Sequence, residues 1–95
     1  MNYKIDYLLK YVSNETYKKI VKNTNDYILD DLETNRVDVD LNIRYLIKYG
    51  IKNIDGVILD RTDELVLSHN DFIEKVLAYE KNIGKDGFID MIENL

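Results

Sequence analysis

Two stretches of this chain correspond in one unbroken register thirty-eight residues apart, and that spacing constrains the fold more than any other feature. Tyr7-Leu8-Leu9-Lys10-Tyr11 matches Tyr45-Leu46-Ile47-Lys48-Tyr49. Further on, Ile20-Val21 matches Ile58-Leu59, Thr24 matches Thr62, and Tyr27-Ile28-Leu29 matches Leu65-Val66-Leu67. Ungapped correspondence at such a period marks stacked helical hairpins, units that cannot shelter their apolar faces alone. It predicts matching shapes for residues 7–29 and 45–67.

The remaining sequence agrees with a helical design. With no proline and four glycines in 95 residues, few breaks are enforced. We expect a single all-α domain spanning 1–95, with about six or seven short helices in helix-turn-helix units near 3–33, 40–68 and 69–95. Tyr3, Tyr7 and Tyr11 stand at i, i+4, i+8 and predict a first helix over 3–12. Ser13 can cap a second helix that turns Tyr17, Ile20 and Val21 inward. After the Asn23-Thr24-Asn25 turn, a short helix should bury Tyr27, Ile28 and Leu32. Residues 33–40 read as a polar connector in which Val37 and Val39 could form a brief extended strand. Helical spacing resumes with Leu41, Tyr45, Leu46 and Tyr49, ending at Gly50, a residue suited to a left-handed C-terminal cap. Asn53 can cap the next helix, which holds Ile54, Val57 and Ile58 and carries Gly56 at a cost of ~1 kcal/mol relative to Ala.

Val57-Ile58-Leu59 and Leu65-Val66-Leu67 also allow a β-hairpin over 57–67, because apolar triplets do not separate strand from buried helix. Helix is the preferred reading, since the counterpart Lys18–Lys22 segment has the pattern of a helix surface. Phe72, Ile73, Val76, Leu77 and Tyr79 then predict a helix capped by Ser68. A Gly84-Lys85-Asp86-Gly87 turn precedes a last helix with Phe88, Ile89, Met91 and Ile92.

Chemistry-bearing patterns are sparse. The absence of cysteine excludes disulfides and thiolate metal sites. His69 is the only histidine and, at the start of a helix, is expected on the surface. Asp38-Val39-Asp40-Leu41-Asn42 opens like a calcium loop but places Ile43 where glycine is required and Tyr49 where the bidentate Glu belongs. No catalytic residue, metal or cofactor is therefore expected. The N-terminal residues lack a signal peptide's basic and apolar regions, and no apolar run approaches the ~20 residues of a membrane span. A soluble, cytoplasmic chain without membrane contact is the expectation.

Charge supplies the functional reading. The net charge is −5, but residues 1–23 carry five lysines against Asp6 and Glu15, leaving the remainder strongly acidic. An acidic body favours basic partners and repels phosphate. We expect a non-enzymatic protein–protein interaction module, a regulator or inhibitor acting on a basic partner, with homodimerisation through an exposed terminal face as a further expectation. The candidate contact residues are Asp38, Asp40, Asp60, Asp63 and Glu64, with Tyr3 and Tyr79 as aromatic contacts. Tyr7, Tyr11, Tyr45 and Tyr49 are expected in the core with their hydroxyls at its rim. Nucleic acid is the lesser expectation, resting on the small basic patch of Lys10, Lys18, Lys19 and Lys22.

Residues 46–79 resemble the repeats of the mitochondrial transcription termination factor family. The likeness lies in Leu46, Gly50-Ile51, Ile54, Val57 and Ile58, then Leu65, Ser68, Phe72, Lys75 and Val76, with a partial restart at Gly84, Phe88, Met91 and Ile92. The resemblance implies hairpins that each carry a short third helix, stacked into a curved solenoid that binds nucleic acid.

Overall fold

Four residues at 0% exposure, Val39, Asn42, Ile43 and Leu46, define the buried stripe of the central helix. Their i, i+3, i+4, i+7 spacing is the core-facing pattern of an amphipathic helix. A computed structural model describes residues 3–93 and is all-helical over them. It contains a 3-10 helix (Asp6–Lys10), α1 (Asn14–Asn23), α2 (Asp26–Thr34), α3 (Arg36–Tyr49), α4 (Ile54–Asp60), α5 (Thr62–Leu65) and α6 (His69–Glu93). α3 is the spine: α2, α4, α5 and α6 all pack on it, while α1 packs on the 3-10 helix and α4. The radius of gyration is 12.9 Å, near the ~12–13 Å expected of a compact chain of this length.

Local sequence explains the boundaries. Ser13 Oγ accepts from Thr16 N–H at the start of α1, and Asn25 Oδ1 accepts from Ile28 N–H at the start of α2. Asn53 Oδ1 does the same for Gly56 N–H in α4. Each satisfies a donor that the first helical turn leaves unpaired. α3 ends at Gly50, whose φ of 119° lies in the left-handed region. Ile51 N–H then returns to Leu46 O at 3.0 Å while its side chain is buried, giving the hydrogen-bond and apolar closure of a glycine-terminated helix.

Several sequence expectations are corrected. The β-hairpin alternative over 57–67 is replaced by α4 and α5; no strand occurs among the described residues. The first helix is a five-residue 3-10 turn rather than a helix over 3–12. The supposed connector 33–40 is helical apart from a turn at Asn35, so Val37 and Val39 lie in α3 and not in a strand. Val39 continues the buried stripe that Ile43 and Leu46 require, and this tertiary demand outweighs β-branched preference.

The chain also breaks at Gly84 alone (φ 77°, ψ 169°), with Gly87 inside the returning helical stretch of α6. Val21 (44%), Tyr27 (87%), Leu77 (50%) and Leu41 (37%), each grouped by spacing with residues of a buried face, are exposed. The cause in α2 is angular: Leu29 and Leu32 set the buried face, and at 100° per residue Tyr27 lies on the opposite side.

In the thirty-eight-residue register, the two pentads share a burial pattern. Leu8 and Leu46 are fully buried, Leu9 and Ile47 exposed, and the flanking tyrosines half-buried. Ile20 and Ile58 are both at 0% exposure, on α1 and α4. The secondary structure differs, however. The first pentad is a 3-10 turn and the second ends α3, while nine-residue α2 stands opposite four-residue α5.

Candidate functional site

Acidic side chains divide into those used inside the fold and those presented outside it. The segment between α5 and α6 leaves helical hydrogen bonding, so its backbone groups need other partners. α3 and Asn35, the residue just before it, supply them at positions i, i+3 and i+7. Asn35 Nδ2 donates to Val66 O (3.1 Å), Asp38 Oδ1 accepts from His69 N–H (3.1 Å), and Asn42 Nδ2 donates to Leu65 O and Leu67 O (2.9 Å each). Asp38, a candidate partner-binding residue, is thus engaged in anchoring the start of α6.

His69 is likewise not a free surface residue. It is half-buried, its Nδ1 lies 2.8 Å from Asn42 Oδ1, and its ring meets Tyr45 edge-on. Since the Asn42 amide nitrogen is committed to two carbonyls, its oxygen faces the imidazole and Nδ1 must carry the proton.

Asp40 and Glu64 are engaged in the same way. Asp40 Oδ1 accepts from Lys10 Nζ (2.9 Å) and Tyr11 Oη (2.5 Å), and Arg44 approaches Oδ2 at 3.6 Å. Burial pushes the Asp40 carboxyl upward, but the hydrogen bonds from Tyr11 and Lys10 and the cations outweigh it, and the net shift is down. Glu64 bridges Arg61 (2.8 Å) and Lys75 (3.1 Å), tying the α4–α5 corner to α6. Its burial also raises and its partners lower, with the lowering dominant.

Asp60 and Asp63 are the two corner acids left exposed. With Asn23, Thr24, Asn25, Ile28, Leu59 and Thr62 they line a shallow depression of about 180 Å³. Across it lies the start of α2, where Asp26, Tyr27 and Asp30 are exposed. Tyr3 sits half-buried on the same side, and burial followed by the Asp26, Asp30 and Glu33 carboxylates raises its hydroxyl pKa. Tyr79 is half-buried, with its ring 5.7 Å from Phe88, so it belongs to the packing of α6 against its own returning stretch.

Among the lysines, Lys10 is paired with Asp40 and Lys19 with Glu15 (3.6 Å), whereas Lys18 and Lys22 extend from α1 without an ion partner among the described residues. Among the described residues no cluster of His, Cys, Asp or Glu could hold a metal, and no helix is long and apolar enough to cross a membrane. The void between α3, α4 and α6 measures about 20 Å³, room for about one water and far below a substrate pocket.

The tyrosines expected at the core rim are half-buried there. Tyr7 Oη donates to Leu32 O (2.6 Å), Tyr11 Oη to Asp40, and Tyr49 Oη to Glu80 (2.6 Å). Burial is the leading cause raising all three hydroxyls, with Tyr11 reaching about 12, helped by its hydrogen bond to Asp40. The fold therefore favours the neutral phenol. That contribution is fully present below the unfolded value near pH 10 and disappears as pH rises through the folded values. Chemical denaturation from pH 9 to 12 should show stability falling from about pH 10, with a shallower fall in Tyr11→Phe; identical slopes would contradict the assignment.

The exposed Tyr27 and the mutual placement of α2 with the α4–α5 corner were missed in the sequence. The signal for the former was the i, i+3 pair Leu29 and Leu32, which places Tyr27 on the opposite side of a helix. No family model, curated protein or solved structure matches the chain.

Proposed function

We propose that this chain is a non-enzymatic protein–protein interaction module that binds a basic partner through α2 and the α4–α5 corner. The observation that carries the reading is Tyr27, 87% exposed among the exposed acids Asp26 and Asp30 of α2, the helix whose start, at Asn25 and Ile28, lines the depression together with Asp60 and Asp63. An exposed tyrosine offers apolar area and a polar tip, the chemistry enriched at interface hot spots. Surrounding carboxylates would steer a cationic surface toward it and set the register of docking. Glu64 braces the corner through Arg61 and Lys75, whereas Asp38 and Asp40 are engaged elsewhere, at the start of α6 and beside the 3-10 helix.

The test compares capture from a lysate of the source cells by the native chain, by Tyr27→Ala and by Asp60→Lys/Asp63→Lys. All altered side chains are exposed, so thermal midpoints should stay within a few degrees. We expect the same basic proteins to be lost from both variants, by about tenfold or more, and to weaken with salt. Capture unaffected by either variant would contradict the proposal.

A second reading, a nucleic-acid-binding helical repeat, is favoured only by exposed Lys18 and Lys22 on α1 with Lys10 and Lys19 nearby in sequence. It predicts gel shifts that vanish steeply with salt.

A further inference from the structure

The outer face of α3 has the opposite character to the acidic surface. Val37 is 70% exposed, Ile47 45% and Leu41 37%, three aliphatic side chains in solvent on one fourteen-residue helix. Two open grooves flank it, of about 300 Å³ on the side of the 3-10 helix and about 420 Å³ toward the start of α6. Leu41 and Arg44 line both, so the grooves adjoin along a single ridge.

Cations border this apolar strip. Arg36 and Lys48 are exposed with no ion partner among the described residues, and Arg44 reaches Asp40 only at 3.6 Å. The acid on this face, Asp40, is already held by Lys10 and Tyr11. The Tyr45 hydroxyl, in the larger groove, has no protein acceptor among the described residues, unlike those of Tyr7, Tyr11 and Tyr49.

We propose that the α3 face is a second docking surface, whose occupant is an acidic amphipathic helical segment of another protein. A helix laid in a groove uses apolar anchors at i, i+3/i+4 and i+7, and Val37, Leu41 and Ile47 offer the matching area. Carboxylates on its flanks would meet Arg36, Arg44 and Lys48, a complement that a basic or neutral segment lacks. A chain with net charge −5 repels acidic partners at long range, so a local cationic strip confines such a partner to one face. The proposal is independent of the α2 surface and asks for a partner of the opposite charge.

The test is selection of displayed random peptides of about 20 residues, long enough for several helical turns, on the full native chain. Binding is then mapped by backbone amide NMR shifts. The expected winners are acidic, with apolar residues every three or four positions. They should shift amides along α3 and near His69, and lose about tenfold or more in affinity for Arg44→Glu/Lys48→Glu. Both substituted side chains are exposed, and Asp60→Lys/Asp63→Lys should leave the binding unchanged, separating this surface from the acidic one. Several results would overturn it: no enrichment over bare support, basic winners, or indifference to the double charge reversal. Uptake of single-stranded oligonucleotide on this face, or a second copy covering it in sedimentation, would overturn it equally.

Discussion

Replacing Asn42 with leucine should destabilise the protein by about 3–5 kcal/mol, a large part of the ~5–15 kcal/mol available to a domain this size. The side chain is at 0% exposure and its amide holds Leu65 O, Leu67 O and His69 Nδ1 together. Leucine has a similar volume, so packing is broadly kept while two backbone carbonyls and an imidazole N–H lose their partner. Leu65 O, in the buried interior, costs about 1–3 kcal/mol when unpaired, and half-buried Leu67 O and the His69 N–H add about 1 kcal/mol each, so the loss exceeds that of an ordinary hydrogen bond. Asn35→Ala is the internal comparison. It removes one bond, to Val66 O, at a half-buried site, and should cost about 1 kcal/mol. Denaturant midpoints measured with constant m-values would test both. An Asn42→Leu loss no larger than that of Asn35→Ala would show that the α3 ladder does not hold the α5–α6 segment.

Leu46→Ala and Leu8→Ala should each lose about 2–5 kcal/mol, because both side chains are at 0% exposure and each truncation opens a cavity. Leu46 lies on α3 among α4 and α6 residues, including Val57, Phe72 and Phe88, where several elements constrain relaxation. Leu8 sits on a short 3-10 turn that can shift toward α1, so its loss belongs at the lower end. Ile47→Ala and Leu9→Ala, at 45% and 40% exposure, should each lose less than about 1 kcal/mol. Equal losses at positions 46 and 47 would contradict the orientation of the second pentad.

These positions also show how far the sequence could be read. Helix content and the caps at Ser13, Asn53 and Gly50 were legible because they depend on neighbours within a few residues. The half-buried tyrosines of the two pentads and buried Leu46 were legible from helical spacing, whereas Leu41, grouped with them, is 37% exposed on the outer face of α3. Residues 33–40 misled because six acids from Asp26 to Asp40 imitate a solvated connector. In the fold Asp38 and Asp40 satisfy a distant backbone N–H, a phenol and a lysine, none of them adjacent in sequence.

The acidic site was legible as composition but not as geometry. Asp60 and Asp63 could be named as a polar corner, whereas their position across from α2 depends on how α1 packs against α4. Glu64 looked equivalent to Asp63 in the sequence, yet one residue is 100° of helix. That rotation turns Glu64 into the Arg61 and Lys75 pair and leaves Asp63 in solvent. The cationic face of α3 was hidden for a related reason: Arg36, Arg44 and Lys48 alternate with acids along the chain, and only in the fold is Asp40, the acid beside them, taken up by Lys10 and Tyr11.

Hydrogen–deuterium exchange on the complex with a captured basic partner tests the central proposal most directly. The account predicts slowed exchange at the start of α2, around Tyr27 and Ile28, and at the α4–α5 corner around Asp60 to Asp63, with α6 unchanged. Protection confined to α1 or to α6, with α2 exchanging as in the free chain, would contradict it.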